Sequence, residues 1–442
     1  MRRPNILFSM CDDQRHDFMG CAGHPFMETP AMDRLAQEGL RFANGFTAVP
    51  LSAPSRASNL SGVYPHRHGA AHNQSAIDPT LPTWPEELQA GGYRTAFFGK
   101  SHFRIAGIDK SGGDPKPGFE RWVGFRNQGD YVDPQFIIDG VDTPHKGYNT
   151  DLLADYVAQF LDSDDPRPWA LCLWYKAPHG PFTPPPRYAH LYDAVPLNRP
   201  AAFGASREGK TRTLREHGSN GPDLDRFDRL VRNYAATLRA VDDALGRALE
   251  LVHQRGETDD TLVIHTSDHG FFHGEFGLGD KRWMYDPSIR IPFLLRYPAL
   301  IENPGRVVDE QVLSLDLPAT IMDLAGLGVP DHYHGRSLRP LLTQRGGLER
   351  DALFIEYFED PQYNWFPTMV CVRTPTQKLI HYLRPGESDE FYDLAKDPHE
   401  LNNVIGVHAY AERVAALRRR LDEAQREFDY RVPAVVRQTM GH

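Results

Sequence analysis

Two adjacent pairs of ligand-type side chains, Asp12-Asp13 and Asp268-His269, directly follow short apolar runs at residues 5–10 and 262–266. Three carboxylates and an imidazole brought together would repel one another unless a cation neutralised them. Oxygen donors favour Ca2+ or Mg2+, and the histidine leaves Mn2+ open. Taken singly, either pair reads equally well as a turn or a helix cap. A second segment with chemical potential is Ser52-Ala53-Pro54-Ser55-Arg56. Pro54 suits a first helical turn. Ser52 then lies at or beside a helix N-terminus, where free N–H groups favour a developing negative charge. Arg56, about one turn on, could hold an oxyanion or orient a nucleophile. The bare segment is equally compatible with an ordinary Ser-capped helix. Lys100 and His102 follow the apolar run 95–98, and a spacing of two at a strand end points both to one side. Lys176 and His179 follow the run 169–175 in the same way.

These groups need elements that bring them together. The runs 5–10, 95–98, 169–175, 262–266 and 292–295 are short and apolar enough to be strands covered on both faces. Helical segments alternate with them. Thr29-Pro30 followed by residues 31–38 and Gly39 has the signals of a helix start and stop, as does 84–89 before Gly91-Gly92. Residues 225–254 carry helical periodicity through Leu230, Tyr234, Leu238, Val241, Leu245 and Leu249. Strand and helix in alternation predict an α/β fold with a mainly parallel central sheet flanked by helices. Ligands in such folds bind beyond the carboxyl ends of the strands, so four chemically equipped endings imply one shared site.

Past about residue 345 the texture changes. Residues 353–357, 368–373 and 378–382 read as short strands and 409–428 as a charged closing helix. The expected division is a catalytic domain over 1–345 and a small C-terminal α+β subdomain over 346–442. Residues 199–215, with Arg199, Arg207, Lys210, Arg212 and Arg215, read as a solvated loop or as a rim attracting an anionic substrate.

Composition narrows the function classes. With 49 Lys plus Arg against 59 Asp plus Glu, the net charge of −10 argues against a general nucleic-acid binder. No apolar run approaches the roughly 18–20 residues of a membrane span. No secretory signal is visible, so a cytoplasmic location is expected for the chain as numbered, or a periplasmic or secreted one if a leader was removed. Cys11, Cys21, Cys172 and Cys371 fit neither a disulfide framework nor a zinc spacing.

Ser52-Ala53-Pro54-Ser55-Arg56 with Leu60-Ser61-Gly62 resembles the signature of the type I, formylglycine-dependent sulfatases of the alkaline phosphatase superfamily. The resemblance runs through the chain: Pro4-Asn5-Ile6, Thr29-Pro30-Ala31-Met32-Asp33, Gly99-Lys100-Ser101-His102, Ala177-Pro178-His179, Ser267-Asp268-His269-Gly270, Gly279-Asp280-Lys281-Arg282, Gly335-Arg336-Ser337-Leu338 and Phe391-Tyr392-Asp393-Leu394. It implies an alkaline phosphatase-like fold and hydrolysis of an aryl or carbohydrate sulfate ester. Asp12, Asp13, Asp268, His269 and residue 52 resemble the metal ligands, and calcium is the usual family ion. His269 stands where Asn is common, which leaves Mn2+ or Mg2+ open. Arg56 resembles the residue that steadies the formylglycine, and Lys100 and His102 the pair beside its hydrate. Lys281 and His179 resemble the contacts to the sulfate and the leaving oxygen. By the same resemblance His179 is the expected acid for the departing alcohol and His102 the expected base.

Most relatives carry Cys where this chain has Ser52. Three explanations stand: a Ser-type enzyme converted by a formylglycine-generating maturase, an engineered Cys-to-Ser form, or a serine used directly as nucleophile. The stretch 274–285 resembles sulfatases acting on carbohydrates, so a sulfated saccharide is the expected partner, with His66, His273, Trp283 and Arg373 as candidate contacts to the leaving group. The alternatives are a phosphonate monoester hydrolase or phosphodiesterase on the same scaffold, and a catalytically silent Ser52 variant that only binds sulfated ligand.

Overall fold

The computed structural model describes residues 3–108, 112–217 and 224–437. Its centre is a ten-stranded sheet. Across it, in order, run Arg306–Leu313, Leu40–Phe46, Phe293–Arg296, Thr261–Ser267, Asn5–Cys11, Trp169–Trp174, Arg94–Gly99, Arg121–Gly124, Gln135–Ile138 and Val141–Pro144. The four strands with chemically equipped endings are the consecutive ones from Thr261–Ser267 to Arg94–Gly99, all parallel. Their registers are in step, with Cys11 opposite Ser267 and both Met10 and Gly99 opposite Trp174. The polar residues that follow therefore emerge at one edge. Phe293–Arg296, Gln135–Ile138 and Val141–Pro144 run antiparallel to their neighbours.

Alternation along the central strands feeds two cores. Ile6, Phe8 and Met10 face one side with Trp84, Leu88 and Ile321, while Leu7 and Cys11 face the other with Leu35, Leu238 and Leu245. The first layer is built from the helices Ser52–Ser61, Trp84–Ala90 and Asp316–Leu324, and the second from Pro30–Glu38, Asn149–Leu161 and Leu224–Gln254. Every strand expected from an apolar run is present, within one residue at either end. Leu40–Phe46, Arg121–Gly124, Gln135–Ile138, Val141–Pro144 and Arg306–Leu313 are additional. They lie towards the rims, where mixed burial breaks the apolar signal.

The C-terminal part is an antiparallel sheet of Leu353–Tyr357, Met369–Arg373, Gln377–Tyr382 and Glu390–Asp393, covered by the helix Ala411–Glu427. Val370, Ile380 and Leu421 share one core with Phe46, Leu51, Trp283 and Tyr285. The expected boundary at 345/346 falls in the connection before Leu353, but among the described residues the core behind it is shared with the first part. The basic segment 199–215 is not wholly solvated: Arg212 and Arg215 stay exposed, but Lys210 and its neighbours are packed. Lys210 is 2% exposed and donates to the Tyr392 hydroxyl at 2.7 Å. The Thr211 N–H donates to Glu390 at 2.6 Å, and Arg207 donates to the Phe276 carbonyl at 2.7 Å. The segment straps the two parts together.

Candidate active site

Asp12 and Asp13 continue the strand Asn5–Cys11, and Asp268 and His269 continue Thr261–Ser267; all four are buried. Ser52 is the first residue of its helix, with Leu51 extended before it and Gly62 in the left-handed region after it. The helix thus delivers the Ser52 hydroxyl, rather than a cap, to the strand ends. Ser52 Oγ lies 3.2 Å from Asp12 Oδ1 and 2.9 Å from His269 Nε2. His269 Nδ1 donates to the Gly270 carbonyl at 3.0 Å, which leaves the lone pair on Nε2 facing the cluster. Burial holds this imidazole neutral, at about 4.

Arg56 is fully buried and works as a strut. Its Nε donates to Asp268 at 3.0 Å, its Nη2 lies 3.2 Å from Asp12, and its Nη1 donates to the Lys100 carbonyl at 2.6 Å. One guanidinium thereby ties three strand ends together, a fan of donors that a lysine could not supply. Lys100 Nζ donates to Asp12, and Lys281 Nζ donates to Asp13 Oδ1 at 2.8 Å. Burial drives the Asp12 carboxyl upward, but Lys100 and Arg56 outweigh it and hold the group well below the usual carboxylate range. Asp13 goes the other way. Burial pushes it to about 7, with Asp12 and Asp268 adding to the rise and Lys281 failing to cancel it.

Asp12, Asp13 and His269 each present one donor atom within 4.8 Å of the others. The bare His269 Nε2 thus lies 3.5 Å from an Asp268 oxygen, acceptor against acceptor, while the protonated Nδ1 passes within 3.3 Å of Asp13 Oδ1. That donor set fits a hard divalent cation: carboxylate oxygens, one imidazole with its outer nitrogen already hydrogen-bonded, and the residue-52 side chain.

His179 follows the strand Trp169–Trp174. Its Nδ1 donates to the Gly180 carbonyl at 2.9 Å, and its Nε2 points inward, 3.9 Å from Asp13 Oδ2. Burial, then Lys281 and Lys100, hold it neutral. His102 follows Arg94–Gly99 and is likewise held neutral, by burial first and Lys100 second. Asp13, His102, Asp280 and Arg282 all sit at positive φ, between 66° and 87°, a concentration of less favoured backbone at the strand-end loops. The structure therefore brings Ser52, Arg56, Lys100, His102, His179, Lys281, Asp12, Asp13, Asp268 and His269 to one edge.

The four expected leaving-group contacts do not join them. His66 is locked between the Glu356 carboxylate at 2.7 Å and the Phe428 carbonyl at 2.9 Å, so both ring nitrogens are engaged. Trp283 is 1% exposed and packs on Phe366. Arg373 donates to Asp286 at 3.0 Å and to Gln311 at 2.6 Å, over the ring of Phe46. His273 is enclosed by the rings of Phe18 and Tyr234. Each serves packing or the contact with the C-terminal sheet. A residue that sequence reasoning passed over is Gln128, whose carbonyl oxygen accepts from Lys100. Its surroundings, Arg126-Asn127-Gln128-Gly129-Asp130, read as a polar turn.

Residues 4–327 match the family described as Sulfatase, and residues 274–427 match N-sulphoglucosamine sulphohydrolase, C-terminal. The chain is 32% identical to an N-acetylglucosamine-6-O-sulfatase of Bacteroides thetaiotaomicron, over 97% of this chain and 87% of the relative. It is 28% identical to the human N-acetylglucosamine-6-sulfatase, over 91% and 81% respectively. A solved enzyme in complex with its substrate, D-glucosamine-2-N,6-O-disulfate, superposes with a TM-score of 0.90 at 32% identity, over 98% of this chain and 99% of that one. The phosphonate monoester hydrolase of Agrobacterium radiobacter superposes at 0.82 with 25% identity, over 96% of both chains.

Proposed function

The chain belongs to the sulfatase family and is a sulfuric ester hydrolase, and from that premise we propose that it removes sulfate from a sulfated glucosamine-type saccharide, using a formylglycine made from Ser52 beside a divalent metal. The observation that carries this reading is the near-complete superposition on the enzyme bound to disulfated glucosamine.

The metal would be held by Asp12, Asp13, Asp268, His269 and residue 52, and when bound it supplies Lewis-acid stabilisation of developing negative charge. The formylglycine, as its hydrate, supplies the nucleophilic oxygen. The chain's own residues do the rest. Arg56 fixes the spacing of the strand ends, so the ligands are placed before substrate arrives. Lys100 and Lys281 stand on either side of the carboxylate cluster and set a positive field where sulfuryl oxygens gain charge. His179 Nε2 is the acid for the leaving alcohol. It is neutral while Lys100 and Lys281 face it alone, and an anionic ester between them offsets the charges that depress it. His102 would serve as the base at residue 52, accepting at Nε2 a proton from the second hydroxyl that the hydrate would supply, which would let sulfate depart.

The similarity to a phosphonate monoester hydrolase supports a second reading, with a phosphonate or phosphate diester as substrate. One experiment separates the two. The protein is produced with a maturase that accepts serine, and the peptide containing residue 52 is weighed. Loss of two hydrogens marks formylglycine. The modified protein is then given N-acetylglucosamine 6-sulfate, 4-nitrophenyl sulfate and phenylphosphonate monoester. The expected result is a kcat/KM for the sugar sulfate at least about a hundredfold above the phosphonate, or about 2.7 kcal/mol of discrimination. Preference for the phosphonate would establish the second reading. Binding of the sugar sulfate with no turnover by the modified protein would make the chain a binder.

A further inference from the structure

The loop between Arg121–Gly124 and Gln135–Ile138 touches more of the active site than any motif in it suggests. Tyr131, 4% exposed, donates its hydroxyl to the His179 carbonyl at 2.5 Å, and its ring lies 4.8 Å from Lys176 Nζ. The Asn149 N–H donates to the Tyr131 carbonyl at 2.8 Å, which ties the loop to the helix Asn149–Leu161. At the inner turn of the loop, Gln128 reaches both Lys100 and His102. Its Oε1 accepts from Lys100 Nζ, and its Nε2 lies 3.4 Å from His102 Nε2.

Chemistry fixes which end of the amide faces which partner. An ammonium only donates, so the carbonyl oxygen must face Lys100 and the NH2 group must face His102. An NH2 group only donates, so His102 Nε2 must accept, and the ring proton of the neutral imidazole must sit on Nδ1. Among the described residues, His102 Nδ1 has no hydrogen-bond partner to choose the tautomer. Lys100 is fully buried, with Asp12 and Gln128 as its two side-chain acceptors. Among the described residues, the Lys100 ammonium without Gln128 would be directed by the Asp12 carboxylate alone.

We propose that Gln128 is a positioning residue: it orients the Lys100 ammonium and holds His102 in the tautomer whose inward nitrogen can accept a proton. The proposal rests on the role given to His102 above. The amide keeps a donor on Nε2 while the site is empty and yields it when a hydroxyl of the residue-52 hydrate arrives. A neutral amide suits this task better than a carboxylate. Glu at 128 could still accept from Lys100, but when ionised it has no donor for His102.

The test uses the full chain in two states. In the first, unmatured protein carries 15N-labelled histidine, and the His102 signal is identified by its loss in His102→Asn. The wild type is expected to show Nδ1 protonated and Nε2 bare, and Gln128→Met to show a mixture or the opposite tautomer. This readout needs neither formylglycine nor turnover, so it stands if the sulfatase reading of the substrate fails. In the second, matured Gln128→Met and Gln128→Glu are assayed on whichever ester the wild type turns over. The expected Met result is a fall in kcat of about 30-fold or more with KM within about threefold. Gln128→Glu is expected to recover part of that loss through Lys100 alone. A kcat within twofold of wild type in Gln128→Met, or a rise in KM with kcat intact, would overturn the proposal. So would an unchanged tautomer. If the Met variant does not fold, the Glu variant carries both readouts.

Discussion

Two of the clusters of buried charge in this molecule are solved in opposite ways. At the domain junction, Lys378 donates to Asp286 at 2.5 Å, to Glu400 at 2.6 Å and to the Met284 carbonyl at 3.0 Å. Arg373 closes the other side of Asp286, and the remaining Glu400 oxygen accepts from the Asp286 N–H at 2.7 Å. Donor meets acceptor at every turn, and Asp286 is held well below the usual carboxylate range, its burial outweighed by Arg373 and Lys378. At the strand ends, Asp12, Asp13 and His269 turn acceptors towards one another, and Asp13 rises to about 7 even with Lys281 at 2.8 Å. A buried network that closes on itself is architecture. One that leaves acceptors facing acceptors is what a bound cation would satisfy, as the proposed function requires.

The largest expected effect tests the open cluster. Asp268→Ala and Asp13→Ala should each lose bound divalent metal and at least about a thousandfold of turnover in matured protein, because the metal and the nucleophile's setting go together. Metal content by mass spectrometry and kcat on the sugar sulfate check this. A metal-free Asp13→Asn protein should nevertheless melt no lower than metal-free wild type, since the charge in an unfavourable field is removed while the amide tolerates the positive φ and still accepts from Lys281. Full activity in a metal-free preparation would break the site assignment.

The junction should behave in reverse. Lys378→Met leaves the buried Glu400 carboxylate without its ammonium and should cost about 3–5 kcal/mol of stability by denaturant unfolding, whereas Arg373→Met leaves Asp286 paired with Lys378 and should cost about 1.5–3 kcal/mol. At a temperature where the variants remain folded, KM for the sugar sulfate should stay within about twofold. A selective rise in KM for Arg373→Met would return that arginine to the substrate site and erase the contrast.

Which parts of this were legible in the sequence follows from the same contrast. The central strands are buried on both faces, so their apolar runs stand out, and the polar residues that end them mark the edge where chemistry is possible. The rim strands were silent because they are half-buried and interrupted, as in Leu-Arg-Phe-Ala-Asn-Gly-Phe of Leu40–Phe46. His66, Trp283 and Arg373 have residue types common in sugar sites, but their partners lie 290 residues away in the case of His66–Glu356 and 87 in the case of Arg373–Asp286. Nothing local distinguishes a polar side chain that faces substrate from one that faces a distant carboxylate. Gln128 is the converse: a neutral amide in a turn-like segment, given a role only by where the loop returns.

The smallest expected effect concerns His66, and it sharpens the contrast through pH. The His66–Glu356 pair is buried, with side-chain exposures of 2% and 0%. Burial alone would lower the imidazole, but Glu356, reinforced by its hydrogen bond and the Phe428 carbonyl, raises it above its ordinary value of 6.5. A group whose folded pKa lies above its unfolded one stabilises fully below the unfolded value and loses that contribution as pH rises through the folded one. The neighbouring His334, depressed to about 3 by burial and by His66, stays neutral across that window. His66→Gln should therefore lower the melting temperature more at about pH 5.5 than at about pH 9, the difference amounting to about 1.4 kcal/mol for each pKa unit of the rise. Kinetics on the sugar sulfate should be unaffected at both, because the pair joins the helix Pro65–His68 to the C-terminal sheet and not to the strand-end cluster. An equal loss of stability at the two pH values would mean that the ion pair contributes only shape, and that this part of the junction is closed by packing rather than by charge.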